Sequence, residues 1–190
     1  MKKIHVSAIN RKVRGDEKLF VEECDRKYNE KLVAIADSIE EHQKEKPILL
    51  LAGPSGAGKT TTALKIEEIL DSRGIHTHTI SMDDYFLPSD SFTAVIGEDG
   101  KPDYESPDRI DRKLLYEHME MINSGEEVVL PKFEFSEQCR RDGEKLRRNK
   151  NDIVVFEGIH ALNPEVTGAA GDYARCMYVS VRSRLELKDG

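Results

Sequence analysis

Gly53-Pro54-Ser55-Gly56-Ala57-Gly58-Lys59-Thr60 fits the spacing G-x-x-x-x-G-K-[ST] at every fixed position. A turn of this type wraps phosphate oxygens. Its glycines let backbone N–H groups turn inward, and the helix that follows adds the positive end of its dipole. Lys59 would reach the outer phosphates, and the Thr60 hydroxyl would ligate Mg²⁺. Gly53, Pro54, Ser55, Gly56, Ala57, Gly58, Lys59, Thr60 and Thr61 are therefore the candidate nucleotide-binding residues. Farther along, Asp83-Asp84 follows a short alternating run, and Glu157 follows an apolar one. Carboxylates at such places can hold Mg²⁺ directly or through water, and one can take a proton from an incoming hydroxyl.

These residues need strands and helices to bring them together. The apolar run 47–52 reads as a buried strand leading into the phosphate loop, and residues 59–72 read as the helix leading out, stopped by Arg73-Gly74. Strand, glycine-rich turn and helix are the context that the motif requires. A strand at 76–81 ends at the acidic pair, a strand at 153–156 ends at Glu157, and a last strand covers 176–181. Fully apolar strands alternating with helices predict a parallel sheet covered on both faces, a three-layer α/β fold. Ligands of such sheets sit beyond the carboxyl ends of the strands, so these strand ends should share one crevice.

Between these elements, residues 87–109 read as a long loop, and 109–123 as a helix stopped by Gly125. Val128-Val129-Leu130 reads as a strand ended by Pro131, and 133–148 as a charged hairpin. Residues 1–18 are polar and mixed in charge, with alternation at 3–6. Leu19, Phe20, Tyr28, Leu32, Ile35, Ala36 and Ile39 recur near helical spacing and predict one long helix over 19–46, ended by Pro47. The division is thus a mostly helical extension, 1–46, and a core, 47–190. The extension helix can pack on the core or mediate homo-oligomer formation.

Composition narrows the partners. The 190 residues carry a net charge of -7, which disfavours general nucleic-acid or membrane-surface binding. Cys24, Cys139 and Cys176 lie far apart, with no disulfide framework or zinc spacing, as in a reducing compartment. The N-terminus has no apolar signal core and no run approaches membrane-spanning length, so the cytoplasm is the default location.

GPSGAGKTT at 53–61, ISMDDYF at 80–86, DYESPDRID at 103–111 and VVFEGIHAL at 154–162, with LPKFEFSEQCR at 130–140, together resemble the uridine kinase-like branch of P-loop kinases, which includes phosphoribulokinase and bacterial pantothenate kinases. The likeness covers residues 47 to about 181. It implies transfer of the γ-phosphoryl of ATP, with Mg²⁺, to a hydroxyl on a small molecule, with uridine as the leading acceptor. It implies Asp83 as the base that deprotonates the hydroxyl and helps hold the metal, and Glu157 beside the metal with Thr60. It places Phe86 at the lining of the nucleoside site, Glu105 where an aspartate contacts ribose, Phe133 at an aromatic beside the base, and Arg140 near the base pocket.

Departures from the pattern bear on the acceptor. Gln138 stands where uridine–cytidine kinases carry a pyrimidine-reading histidine, and Glu105 is longer by one methylene. Pantothenate or a phosphosugar is the alternative acceptor. The family's arginine-rich lid helix would follow the strand at 176–181, and Arg182 and Arg184 do not have its spacing. The chain is therefore expected to be a fragment that binds nucleotide and turns over weakly. A non-catalytic ATP-sensing module is the rival from another class, and a regulatory GTPase is a third reading.

Other patterns carry less. Asn149-Lys150-Asn151-Asp152 matches a guanine-reading motif but precedes its strand, at the wrong end of the sheet. His76 and His78 share a strand face without a third metal ligand. The basic residues from Arg140 to Lys150 alternate with acids, as in a solvated hairpin. His160 lies close to the predicted crevice, and no role is assigned to it.

Overall fold

A computed structural model describes residues 3–89, 96, 100–101, 103–181 and 184–187. Its centre is a parallel sheet of β2 (Ile48–Ala52), β3 (Thr77–Ser81), β6 (Ile153–Glu157) and β7 (Ala174–Tyr178), in the order β3-β6-β2-β7. Every residue of β2 is buried. Ile48, Leu50 and Ala52 point to one face with Val154 and Phe156, while Leu49 and Leu51 point to the other with Ile153 and Val155. This two-sided burial makes β2 and β6 continuously apolar instead of alternating.

Helices cover both faces. On one side lie α2 (Glu17–His42), through Leu32, Ala36 and Ile39, and α3 (Lys59–Asp71), through Ala63, Ile66 and Leu70. On the other lie α4 (Arg112–Ser124), through Leu115, Met119 and Ile122, and the antiparallel hairpin of β4 (Glu127–Glu134) and β5 (Cys139–Arg147). The three-layer α/β architecture expected from the sequence is present. The Asp111 carboxylate caps α4 by accepting from the Leu114 N–H at 3.1 Å. No described helix is long and apolar enough to cross a membrane.

The structure corrects several boundaries. The first polar stretch contains β1 (Lys3–His5) and a helix, α1 (Val6–Gly15), in which no residue is buried. Val6, Ile9 and Val13 recur along it at helical spacing, a periodic signal that is present in the sequence although the face stays unburied. The long helix begins at Glu17, because the Asp16 carboxylate accepts from the Leu19 N–H at 2.9 Å, and it ends at His42. Its apolar stripe is buried only from Leu32 onward; Leu19 is 61% exposed. Tyr28 instead meets the Thr62 hydroxyl of α3 at 3.0 Å.

Pro131 does not end its strand. β4 continues to Glu134, and its pairing with β5 shifts register between Val129 and Pro131. A residue without an N–H is tolerated at such an irregularity. The last sheet strand starts earlier than expected, since Ala174 already pairs with Ile48. A short parallel pair joins β1 to β8 (Arg184–Glu186). The long loop at 87–109 lies partly outside the described residues, as does Arg182.

Candidate active site

β2 runs straight into the phosphate loop. Gly56 and Gly58 adopt left-handed φ angles of 70° and 85°, which side chains disfavour. The Ala57 N–H closes the turn on the Pro54 carbonyl at 3.1 Å, and Thr62 N–H to Gly58 carbonyl starts α3. The Lys59 ammonium lies over the loop, donating to the Pro54 carbonyl at 3.2 Å.

Gly53 answers a different demand. A Cβ there would sit 2.3 Å from the carbonyl oxygen of Val179, because the chain leaving β2 passes against the chain leaving β7. Gly53→Ala is expected to cost about 1–3 kcal/mol of stability through this overpacking and to weaken nucleotide binding. Thermal melting and ATP titration check this. A variant with parental melting and affinity would contradict the close approach.

Register sets the strand ends side by side. Leu51 and Ser81 both pair with Glu157. The Thr60 hydroxyl donates to the Glu157 carboxylate at 3.3 Å across this junction. Asp83 sits on the short 3-10 turn Met82–Tyr85, which begins where the Ser81 hydroxyl accepts from the Asp83 N–H at 3.4 Å. Ser55, Gly56, Lys59, Thr60, Asp83 and Glu157 line one cleft of about 480 Å³. The predicted metal and base residues thus share one cleft with part of the phosphate loop, while Gly53, Pro54, Ala57, Gly58 and Thr61 do not line it.

Asp83 is open to the cleft by surface area, yet protein atoms crowd its carboxyl. That crowding raises its pKa; Lys59 opposes the shift, the like charge of Asp84 adds to it, and His160 and Arg109 oppose it more weakly than Lys59. Solvent in the open cleft keeps this effect modest. The acidic pair is divided in its work. Asp84 accepts from the Phe133 N–H at 3.1 Å and pairs with the Lys132 ammonium at 3.2 Å, so it fastens the hairpin while Asp83 faces the cleft.

The acceptor residues divide as well. Phe86 and Glu105 line the cleft. Phe133 does not: it is 2% exposed, packed edge-on against Phe86 and Phe135, and Phe135 forms the wall instead. β4 ends at Glu134, which frees residue 135 to turn toward the cleft. Arg140 does not line the cleft either, because its guanidinium donates to Asp111 at 2.9 Å and ties β5 to the start of α4. Sequence reasoning missed Tyr104 and Arg109 as wall residues. Arg109 stands at a junction between loop and helix, where a lone cation carries no periodic signal. His160 donates from Nε2 to the Glu105 carbonyl at 2.6 Å, bracing that segment of the wall.

The set-aside patterns lie elsewhere. Asn149 donates from its backbone and side chain to Asp152, which His78 also meets at 3.2 Å, all at the amino end of β6. Burial would raise the Asp152 carboxyl, but the Asn149 and His78 contacts outweigh it and lower its pKa. Arg148 donates to the Ile122 and Asn123 carbonyls at the end of α4, and Lys145 pairs with Glu127.

The profile of the phosphoribulokinase / uridine kinase family matches residues 48–183. The chain belongs to this family. Uridine kinase from Halobacterium salinarum is 31% identical over 115 residues, which are 60% of this chain and 48% of that protein. Inorganic pyrophosphatase TTM2 from Arabidopsis thaliana is 34% identical over 126 residues, 65% of this chain and 17% of that protein. A solved structure described as a possible uridine kinase from Bacillus stearothermophilus superposes with a TM-score of 0.62 at 16% identity, covering 80% of each chain, and shows the shared fold. This family member spans about half the length of the uridine kinases it matches.

Proposed function

We propose that this chain carries the catalytic centre of an ATP-dependent kinase that phosphorylates a hydroxyl on a small molecule. The convergence of Lys59, Asp83 and the Thr60–Glu157 pair on one cleft carries the reading. The residues fit ATP and Mg²⁺. The left-handed Gly56 and Gly58 shape a cradle of N–H donors, and Thr60 and Glu157 present adjacent oxygen ligands, with Asp83 across the same cleft. Thr60, Glu157 and Asp83 would hold Mg²⁺, with phosphate oxygens and water completing its shell.

The chain's own groups have distinct tasks. The loop N–H groups and Lys59 hold the β- and γ-phosphates in line with the acceptor. Mg²⁺, when bound, neutralises charge that builds on the phosphate oxygens. Asp83 accepts the proton of the acceptor hydroxyl as its oxygen bonds to the γ-phosphorus. The bond from the γ-phosphorus to the bridging oxygen breaks, ADP leaves, and the proton remains on Asp83 until solvent takes it.

Uridine is the acceptor that the family likeness favours. An anionic alcohol such as pantothenate or a phosphosugar is the second reading, favoured by Gln138 in place of the pyrimidine-reading histidine. ADP release from ATP·Mg²⁺ with uridine, cytidine, pantothenate and ribulose 5-phosphate tests the function. Release that depends on one of these acceptors is the expected result. ATP binding without any such release would favour a nucleotide-sensing module instead.

A further inference from the structure

Arg109 is an unusual cation for this molecule. It is 7% exposed, yet it lines the cleft. Its guanidinium lies 4.5 Å from the centre of the Phe86 ring and 5.3 Å from that of Tyr104. One terminal nitrogen donates to the Tyr104 carbonyl and the other to the Gln138 side-chain oxygen, both at a long 3.3 Å. A guanidinium offers five N–H donors, so these contacts leave capacity unused.

Several other guanidiniums are balanced by carboxylates, whereas the less buried Arg148 and Arg175 meet backbone carbonyls and the Ser38 hydroxyl. Arg140 pairs with Asp111, Arg112 with Asp108, and Arg73 with Asp37 and Glu40. Among the described residues no carboxylate forms an ion pair with Arg109. A buried cation without a counter-ion is costly, and aromatic faces offset only part of that cost. An anion entering the cleft would supply the missing partner in a geometry that suits a carboxylate or phosphate.

The neighbouring amide cannot take this role. Gln138 spends its oxygen on Arg109 and its nitrogen on the Phe135 carbonyl at 2.7 Å, and it is held in a left-handed conformation with φ of 51°. Arg109 thus lines the cleft beside Phe86, Tyr104 and Glu105 with N–H capacity to spare.

We propose that Arg109 recognises the acceptor, and that the acceptor carries an oxyanion, carboxylate or phosphate, besides the hydroxyl that is phosphorylated. This rests on the kinase reading above and takes its second acceptor class, the anionic alcohol, over uridine. Aromatic packing by Phe86 and Tyr104 fixes the guanidinium plane, so the anion is read by a pre-set fork.

Matched pairs of ligands test it by calorimetry on the intact chain: pantothenate against panthenol, and ribulose 5-phosphate against ribulose. At least one anionic member should bind roughly 30-fold more tightly than its neutral partner, the scale of a buried charge contact. Which pair responds tells carboxylate from phosphate. Arg109→Met, which keeps the packing stem, should erase the difference, and Arg109→Lys should retain part of it. Equal affinities within both pairs, or no binding of either anion, would overturn the proposal, and this comparison needs only the parent protein. ADP release measured alongside separates the two readings. Acceptor-dependent release without anion preference sinks the Arg109 assignment and leaves the kinase standing. Arg109-dependent anion binding without release under any acceptor sinks the kinase and leaves the anion site.

Discussion

Asp83→Asn should lower acceptor-dependent ADP release by about 10²- to 10⁴-fold, the usual contribution of a positioned general base. Asparagine keeps the shape of the side chain and cannot take the proton. The loop that holds ATP does not depend on Asp83, so affinity for the nucleotide without metal should be nearly unchanged. The same variant has a stability signature. The Asp83 carboxyl is raised above its ordinary value of 3.8, first by burial. The folded state therefore binds more protons than the unfolded state between 3.8 and the raised value, and stability falls as pH rises through that window. Without metal or nucleotide, Asp83→Asn should melt higher than the parent at neutral pH, and the gap should close below about pH 3.8. Undiminished release from Asp83→Asn would remove the aspartate from the mechanism.

Phe156→Ala should cost about 3–5 kcal/mol, the range for deleting a fully buried aromatic ring. Phe156 is fully buried on β6, and its ring lies 6.4 Å from that of Tyr85. For a chain of this size the loss corresponds to roughly 6–20 °C in melting temperature. Function should suffer too, because the next residue, Glu157, meets the Thr60 hydroxyl and its position depends on the strand beneath it. Phe135→Ala is the comparison. That ring is 54% exposed, so its loss should change acceptor binding with little effect on melting. Equal melting of Phe156→Ala and the parent would show that the cavity collapses without cost.

The phosphate loop, its flanking strand and helix, and the sheet's layered character are legible in the residues alone. These features are local. A glycine-rich turn has its own backbone demands at Gly56 and Gly58, and strands buried on both faces are apolar throughout, as at 48–52 and 153–156. The sequence also placed Asp83 and Glu157 at strand ends, and parallel register brought them together. The acceptor wall depends on long-range packing. Asp84 and Arg140 look like site residues in one dimension, and both are spent on fastening the hairpin and α4. Phe133 and Phe135 are equivalent in type, and only the end of β4 determines which one is buried. Arg109 gave no signal, because its significance lies in two aromatic faces contributed by Phe86 and Tyr104 and in having no carboxylate ion pair among the described residues. Local backbone and burial demands are written into neighbouring residues. The partner of a charge is set by which distant segments the fold brings beside it.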